Sequence, residues 1–192
     1  MRIFLAGATG VIGVRLVPLL VDAGHDVAGM TRSPAKVDLV RSLGAEAVVC
    51  DVFDEGELVR VVRAFAPEMV IHQLTDLPDD VDDIASFSER NDRVRTQGTR
   101  NLLGAATAAG TPRFLAQSIA WRPPGRGPVV DEHEQMVLEA GGIVVRYGQL
   151  YGPGTYHEDR IPDPPRISVD EAAWRTVPLL DAESGVVELV EQ

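Results

Sequence analysis

Cysteine is almost absent from this chain of 192 residues, since Cys50 is the only one, and an internal disulfide framework is therefore excluded. The four histidines are scattered without the spacing of a zinc site, so we predict no bound metal. Basic side chains number 18 against 29 acidic ones, and a net charge of -11 would repel the phosphates of a nucleic acid. No apolar run approaches the roughly 20 residues that span a bilayer, and glycines interrupt residues 1–13, where a signal peptide would have its apolar core. We predict a cytoplasmic protein that binds neither nucleic acid nor membrane.

Lysine and tyrosine are also rare. Lys36 is the only lysine and lies in the first quarter of the chain, whereas the tyrosines, Tyr147, Tyr151 and Tyr156, all lie in the last quarter. A mechanism that needs a tyrosine and a lysine a few residues apart is therefore excluded.

Short apolar runs alternate with amphipathic stretches, which is the pattern of parallel strands joined by crossover helices. The runs are continuously apolar and do not alternate between apolar and polar residues, as in strands that helices cover on both faces. We predict an α/β fold with a doubly wound parallel sheet, formed by a single domain over residues 1–192. The predicted strands are 2–8, 25–31, 45–51, 67–74, 113–120, 142–148 and 186–190. The predicted helices are 10–24, 86–109 and 131–140, with others that begin at the capping residues Ser33, Asp54 and Ser168.

A glycine-rich turn joins the first predicted strand to the first predicted helix. Gly7, Gly10 and Gly13 have the spacing Gly-x-x-Gly-x-x-Gly. The first glycine permits a tight turn, the second lets backbone amides approach a pyrophosphate, and the third lets helix and strand pack closely, while the helix N-terminus supplies positive potential. We interpret the loop as a dinucleotide-binding turn. The alternative is a tight turn with a structural role alone.

The residues after the second and third predicted strands indicate which dinucleotide binds. An acidic side chain after the second strand would hold the ribose hydroxyls of NAD, but the sequence has Thr31 and Arg32 there, with Lys36 just beyond. An arginine can pair with the 2'-phosphate of NADP and stack on adenine. We therefore predict NADP(H) as the preferred cofactor and NAD(H) as the alternative, although a solvated arginine at a helix start would give the same sequence. Asp51, after the third strand, is either an acceptor for the adenine amino group or a simple loop residue.

Several segments together resemble the extended short-chain dehydrogenase/reductase group, often described as the NAD-dependent epimerase/dehydratase family. They are residues 6–13, 51–52, 70–75, 91–110, 144–155 and 167–173, in the family's order. The resemblance implies a Rossmann fold in which the pyrophosphate is surrounded by Gly7, Thr9, Gly10, Val11 and Ile12. It places Arg32 at the adenosine ribose, and it lines the rest of the cofactor with Asp51, Val52, Leu74 and Thr75. It also implies that Ser118 is the catalytic Ser/Thr and that Tyr151 lies near the nicotinamide.

The sequence also departs from this family. Family members carry a Tyr-x-x-x-Lys pair between the fifth and sixth strands, in which the lysine lowers the pKa of the tyrosine for proton exchange with the substrate. This pair is absent here, and the helix that would carry it is reduced to 131–140. The segment between Gly154 and Ser168, where the family builds much of its substrate domain, is short. We therefore expect a shortened member, with a cofactor-binding core over 1–150 and a much reduced C-terminal substrate region over 151–192.

Other groups are candidates for the proton chemistry: Ser118, Glu132, His133, Glu134, Tyr147 and Tyr151. In the run 131–134, neighbouring carboxylates would raise the pKa of His133 and suit it to acid-base catalysis; alternatively, the run is a set of solvated capping charges at a helix start. His72 and Cys50 lie on apolar strands, and we predict that both are core residues.

Two functions are consistent with these observations. The first is an NADP(H)-dependent oxidoreductase or epimerase-like enzyme that acts on an unidentified small molecule with catalytic groups other than the Tyr-Lys pair. The second is a redox-silent nucleotide-binding protein, either a sensor or a scaffold for non-redox chemistry. A second copy of the chain in a homo-oligomer could close the open substrate side.

Overall fold

A parallel sheet of seven strands is the centre of the fold in the computed structural model, which describes residues 1–78, 84–121, 125 and 127–191. The strands in chain order are β1 (Arg2–Ala6), β2 (Asp26–Thr31), β3 (Glu46–Val49), β4 (Met69–His72), β5 (Arg113–Ile119), β6 (Ile143–Tyr147), β7 (Gln149–Tyr151), β8 (Arg166–Ser168) and β9 (Gly185–Leu189). The large sheet has the order β3-β2-β1-β4-β5-β6-β9, while β7 and β8 pair separately. The chain first winds outward from β1 to β3 and then returns to β4 on the other side of β1. The winding direction therefore reverses beside the end of β1, which is where ligands bind in such sheets.

Helices cover both faces of the sheet. They are α1 (Gly13–Asp22), α2 (Val37–Ser42), α3 (Glu55–Phe65), α4 (Ile84–Arg93), α5 (Thr99–Ala109), α6 (Gly127–Glu139) and α7 (Val169–Thr176). Neighbouring side chains of β1 belong to opposite core layers: Ile3 packs in the layer of Leu16 of α1, and Phe4 packs in the layer of Leu58 of α3. Because both faces are buried, the strand is apolar at each position from Ile3 to Ala6, and its first residue, Arg2, is exposed. The predicted doubly wound α/β fold is confirmed.

Two of the three predicted helix starts are capped as expected. Asp54 Oδ1 and Ser168 Oγ each accept a hydrogen bond from the amide three residues further on, at 3.1 and 3.2 Å. The predicted cap at Ser33 is wrong, because its side chain makes no capping bond. The chain there enters a 3-10 turn, Pro34–Lys36, before α2 begins.

Two other predicted helices differ from the structure. The helix predicted at 131–140 begins at Gly127 and has 13 residues. The run 131–134 therefore lies in the middle of α6 and not at a helix start. The helix predicted at 86–109 contains a π-helical segment, Val94–Gly98, between α4 and α5. Segments of this kind recur at functional sites in proteins.

Candidate cofactor site

The loop between β1 and α1 has no room for side chains at two of its glycines. Gly7 has φ +98°, and a Cβ there would lie 2.6 Å from the Gln73 carbonyl oxygen. A Cβ at Gly13 would lie 2.1 Å from the Gly7 carbonyl oxygen. At Gly10 the same carbonyl oxygen, at 3.4 Å, is the one neighbour within 4 Å among the described residues. The loop therefore packs against the strand edge at Gly7 and Gly13 and stays open at Gly10.

Three backbone amides of this loop are available to a ligand. In the part of the chain that the structure describes, the N–H groups of Thr9, Val11 and Ile12 donate to no backbone carbonyl. Ile12 immediately precedes α1, so these donors lie at the positive end of the helix dipole. Free amides at a helix N-terminus fit a pyrophosphate.

The residues after β2 lie beside the glycine loop. Thr31 Oγ1 accepts a hydrogen bond from the Ser33 amide at 3.2 Å and lies 3.4 Å from Thr9 Oγ1, so the two loops are joined. The Arg32 side chain is 60% exposed, and Lys36 on the 3-10 turn is also exposed. Both cations are therefore accessible to an anionic ligand.

Asp76 joins Arg32 to a second arginine that sequence analysis missed. Because β1 lies between β2 and β4, Arg32 after β2 and Asp76 after β4 meet across the end of β1, where the glycine loop starts. Arg32 NH2 lies 3.2 Å from Asp76 Oδ1, and Arg90 of α4 donates to both carboxylate oxygens at 3.0 and 3.1 Å. The Asp76 side chain is only 8% exposed. These three residues are named the arginine-aspartate cluster below.

Asp51 and Val52, both predicted at adenine, differ in exposure. Asp51 is exposed, and its Oδ1 accepts a hydrogen bond from the Phe53 amide at 2.9 Å. Val52 is buried, and its carbonyl accepts from Asn101 Nδ2 at 2.9 Å. Of the two side chains, that of Asp51 is therefore the one open to a base.

The loop after β4 is fixed from both sides. The Leu74 amide donates to His72 Nδ1 at 3.1 Å, and the Leu74 carbonyl accepts from Gln117 Nε2 at 3.0 Å. Thr75 is exposed at the same edge, next to the arginine-aspartate cluster. Thr75 is therefore open to solvent beside a loop that two hydrogen bonds hold in place.

Ser118 and Tyr151, the two predicted catalytic residues, lie in separate hydrogen-bond networks. Ser118 is fully buried, and its Oγ donates to Glu134 Oε1 at 2.6 Å. Glu134 in turn pairs with Arg146 at 2.5 Å. Tyr151 OH donates to Glu191 Oε1 at 2.5 Å, and this hydrogen bond raises the pKa of Tyr151. Each hydroxyl thus donates to a carboxylate of the protein itself. The catalytic roles of Ser118 and Tyr151 therefore stay predictions.

The predicted rise in the pKa of His133 is wrong, and so is its alternative, a solvated capping position. His133 is 1% exposed in the structure. Its Nε2 lies 2.9 Å from the Gln117 carbonyl oxygen, and its Nδ1 lies 2.8 Å from Thr99 Oγ1. Burial, assisted by the charge of Arg95, lowers the pKa of His133 to about 4. His72 Nε2 lies 3.1 Å from the same Thr99 Oγ1, and His72 is the buried core residue that the sequence predicts.

Arg15 of α1 ties the glycine loop to the C-terminal part of the chain. Its guanidinium donates to the Val11 carbonyl at 2.9 Å and to the Pro153 carbonyl at 2.7 Å. It also pairs with Asp170 of α7 at 2.5 Å. The segment that follows β7 is thereby held against the start of α1.

The same segment also reaches the loop after β4. Tyr156 OH donates to the Pro78 carbonyl, and a 3.1 Å bond from the Gly152 amide to the His157 carbonyl closes residues 152–157 into a compact turn. We name residues 152–157 the bridging turn, because it contacts both Arg15 of α1 and Pro78 of the loop after β4. Sequence analysis gave no signal for it, since both attachments join residues far apart in the chain.

The described residues form neither a metal site nor a membrane span. Within these ranges, no group of three or more His, Cys, Asp or Glu side chains is placed to hold a metal ion. Among the residues that the structure describes, no helix is both long enough and apolar enough to cross a membrane. Cys50 is buried, as predicted for a packing residue, and burial raises the pKa of its thiol to about 11.

The reversal of winding beside β1 and the glycine loop at the start of α1 define a Rossmann-type nucleotide-binding fold. The family model for the NAD dependent epimerase/dehydratase family matches residues 3–134. The chain belongs to this family, as the resemblance of its motifs indicated.

Similar proteins include both reductases and epimerases. The chain is 39% identical over 181 residues to a 3-diazoavenalumate denitrifying reductase of a Streptomyces species, a match that covers 81% of this chain and 58% of the reductase. It is 27% identical over 199 residues to the uncharacterized sugar epimerase YhfK of Bacillus subtilis, covering 96% of this chain and 90% of YhfK. The UDP-glucose 4-epimerase of Thermus thermophilus, solved as a complex with NAD, matches with a TM-score of 0.81 at 18% identity, over 99% of this chain and 78% of that chain. At this identity the structural likeness shows the fold alone.

Proposed function

We propose that this chain binds a nicotinamide adenine dinucleotide, NADP(H) in preference to NAD(H), and acts as an oxidoreductase or epimerase-like enzyme on a small molecule. The observation that carries the proposal is the set of free amides of Thr9, Val11 and Ile12 at the start of α1. Membership in the NAD dependent epimerase/dehydratase family supports the same class of cofactor.

The preference for NADP(H) is argued from the residues after β2. The stretch 31–36 contains no Asp or Glu that could hold the ribose hydroxyls of NAD. Arg32 and Lys36 are both exposed there. A 2'-phosphate placed beside Arg32 would receive charge-assisted hydrogen bonds from the guanidinium.

The chain's own residues would bind and orient the cofactor. When bound, the nicotinamide ring supplies or accepts a hydride. Thr31, Leu74 and Thr75 would line the cofactor between the ribose and the edge of β4, and the exposed Asp51 would accept a hydrogen bond from adenine. Tyr151, whose pKa is raised by Glu191, would act at neutral pH as a hydrogen-bond donor and not as a base.

The absence of the Tyr-Lys pair favours substrates whose reduction needs no proton donor. Reduction of a carbonyl needs a proton at oxygen in addition to the hydride at carbon, and no Tyr-x-x-x-Lys pair is present to supply it. Reduction of an arenediazonium group has no such need, because hydride forms the C–H bond, the C–N bond breaks and N2 leaves. The Streptomyces reductase is named for a diazo compound. We therefore propose a diazo-bearing small molecule as the substrate.

Binding and turnover test the proposal separately. Calorimetric titration with NADPH and NADH should show tighter binding of NADPH, and Arg32→Gln should remove the difference. Arg41→Gln is the matched control, since Arg41 is an exposed arginine on α2. Oxidation of NADPH should accelerate with 3-diazoavenalumate and remain at background with simple aldehydes. Failure of both dinucleotides to bind at millimolar concentration would refute the whole proposal.

The second candidate function is a redox-silent nucleotide-binding protein. It is favoured by one observation, the engagement of Ser118 and Tyr151 by Glu134 and Glu191. Tight binding of NADPH without turnover of any diazo, carbonyl or nucleotide-sugar compound would establish it in place of the enzyme.

A further inference from the structure

The carboxylate of Asp76 is shared unequally by the two arginines of the arginine-aspartate cluster. Arg90 donates through Nε and NH2 at 3.0 and 3.1 Å, within the normal range for N–H···O bonds. Arg32 donates at 3.2 and 3.5 Å, at or beyond the end of that range. Asp76 is therefore paired mainly with Arg90.

Further contacts connect Asp76 to α4 and hold the guanidinium of Arg90 in place on that helix. The Asp76 amide donates to Asn91 Oδ1 at 3.1 Å. The Arg90 guanidinium also lies over the Phe87 ring, 4.5 Å from its centroid. The Arg32 and Arg90 side chains are 60% and 52% exposed, so exposure does not separate them, but Arg32 makes only the two longer contacts to Asp76, at 3.2 and 3.5 Å. Arg32 is thus the member of the cluster that can turn toward a ligand while Asp76 keeps a partner.

The unequal sharing of Asp76 affects how strongly Arg32 can bind a 2'-phosphate. Arg32 is the residue proposed to meet the 2'-phosphate, and a carboxylate that shares its N–H donors competes with that phosphate and repels it. NAD has a hydroxyl in place of this phosphate, so the competition does not affect it. Two guanidinium groups and one carboxylate leave the cluster with a net positive charge, in a chain whose own charge is -11.

We infer that Asp76 weakens the binding of a 2'-phosphate and that Arg90 limits this effect by making the shorter hydrogen bonds to the carboxylate that it shares with Arg32. The inference rests on the proposed function and concerns the ratio of NADPH to NADH affinity. Asp76 and Arg90 are positioning residues, because both act through Arg32. The ligand group that they discriminate is an adenosine 2'-phosphate.

Calorimetric titration of the full chain and its Asp76→Asn variant with NADPH and NADH tests the role of Asp76. We expect NADPH to bind the variant about two- to fivefold more tightly, the size of one exposed charge interaction, and NADH to bind as in the parent. Adenosine 2',5'-bisphosphate and AMP, which carry the adenosine end alone, should repeat this difference. An equal gain for both dinucleotides would mean that the ion pair merely obstructs the cleft, and weaker NADPH binding would mean that Asp76 orders Arg32. Either result would overturn the inference.

The role of Arg90 is tested with Arg90→Gln alone and combined with Asp76→Asn. The single variant should bind NADPH about two- to fivefold more weakly, with NADH unchanged, because Asp76 is left with Arg32 as its partner. In the double variant this loss should vanish; a loss that persists would place Arg90 directly on the phosphate and contradict the inference. If Asp76→Asn does not fold, Arg90→Gln alone decides, since a parental NADPH to NADH ratio overturns the inference. Absence of all dinucleotide binding in the parent chain would instead refute the proposed function.

Discussion

Replacing Gly13 by alanine tests whether close backbone packing builds the glycine loop. The new Cβ would lie 2.1 Å from the Gly7 carbonyl oxygen and 2.8 Å from the Ala8 carbonyl carbon. Because both neighbours are backbone atoms, the clash is relieved only if the loop or α1 moves. Overpacking of this kind costs about 1–3 kcal/mol. For a chain of this size, that cost lowers the melting temperature by about 2–12 °C.

Gly104→Ala is the matched control. Gly104 is exposed on α5, and among the described residues nothing lies within 4 Å of its Cβ position. Alanine is favoured over glycine inside a helix by about 0.8–1 kcal/mol, which should raise the melting temperature by about 2–4 °C. Replacement of glycine by alanine is thus expected to lower the melting temperature at Gly13 and to raise it at Gly104.

Scanning calorimetry gives both melting temperatures, and titration with NADPH reports on the loop itself. A displaced loop should lose about tenfold or more in affinity at Gly13→Ala, since its amides no longer meet the pyrophosphate together. Gly104→Ala should bind as the parent does. A Gly13→Ala protein with parental melting temperature and parental affinity would refute the packing argument.

Three further predictions concern titratable groups. The pKa of His133 is lowered to about 4 in the folded protein, so between that value and about pH 6.5 the unfolded chain binds more protons and stability falls as pH falls. Thermal melts from pH 7 to 5 should show this loss, and His133→Asn should reduce it; equal slopes would contradict the assignment. Burial raises the pKa of Cys50 to about 11, so a thiol reagent at pH 8 should label it only after unfolding, and rapid labelling of native protein would count against its burial. Tyr151→Phe should lower the unfolding free energy in urea by about 0.5–1.5 kcal/mol through loss of the bond to Glu191, and an unchanged midpoint would show that this bond contributes nothing.

Features set by local composition could be predicted from the sequence. Each strand of the large sheet overlaps a predicted apolar run, and the runs are clearest for the central strands, which are buried on both faces. The difference at the end of the first strand has a physical reason. The apolar run predicts a strand over residues 2–8, whereas β1 ends at Ala6. Gly7 turns the chain with φ +98°, yet Ala8 is still fully buried, so its apolar character belongs to the loop and not to the strand.

Features set by contacts between distant residues could not be predicted. The strands β7 and β8 have three residues each, too few to show a pattern, and they form because they pair with each other. The arginine-aspartate cluster depends on the order β2-β1-β4, which brings Arg32 to Asp76. His133 has carboxylates beside it in sequence, but its depth in the fold determines its pKa.

The bridging turn has a consequence for how the C-terminal part of the chain is held to the rest of the fold. Arg15 fixes one end through charged contacts to Pro153 and Asp170, whereas at the other end Tyr156 donates a single neutral hydrogen bond to Pro78. The neutral contact breaks more easily. Under stress, the Tyr156 end of the turn should therefore detach from the loop after β4 before the Arg15 end detaches from α1.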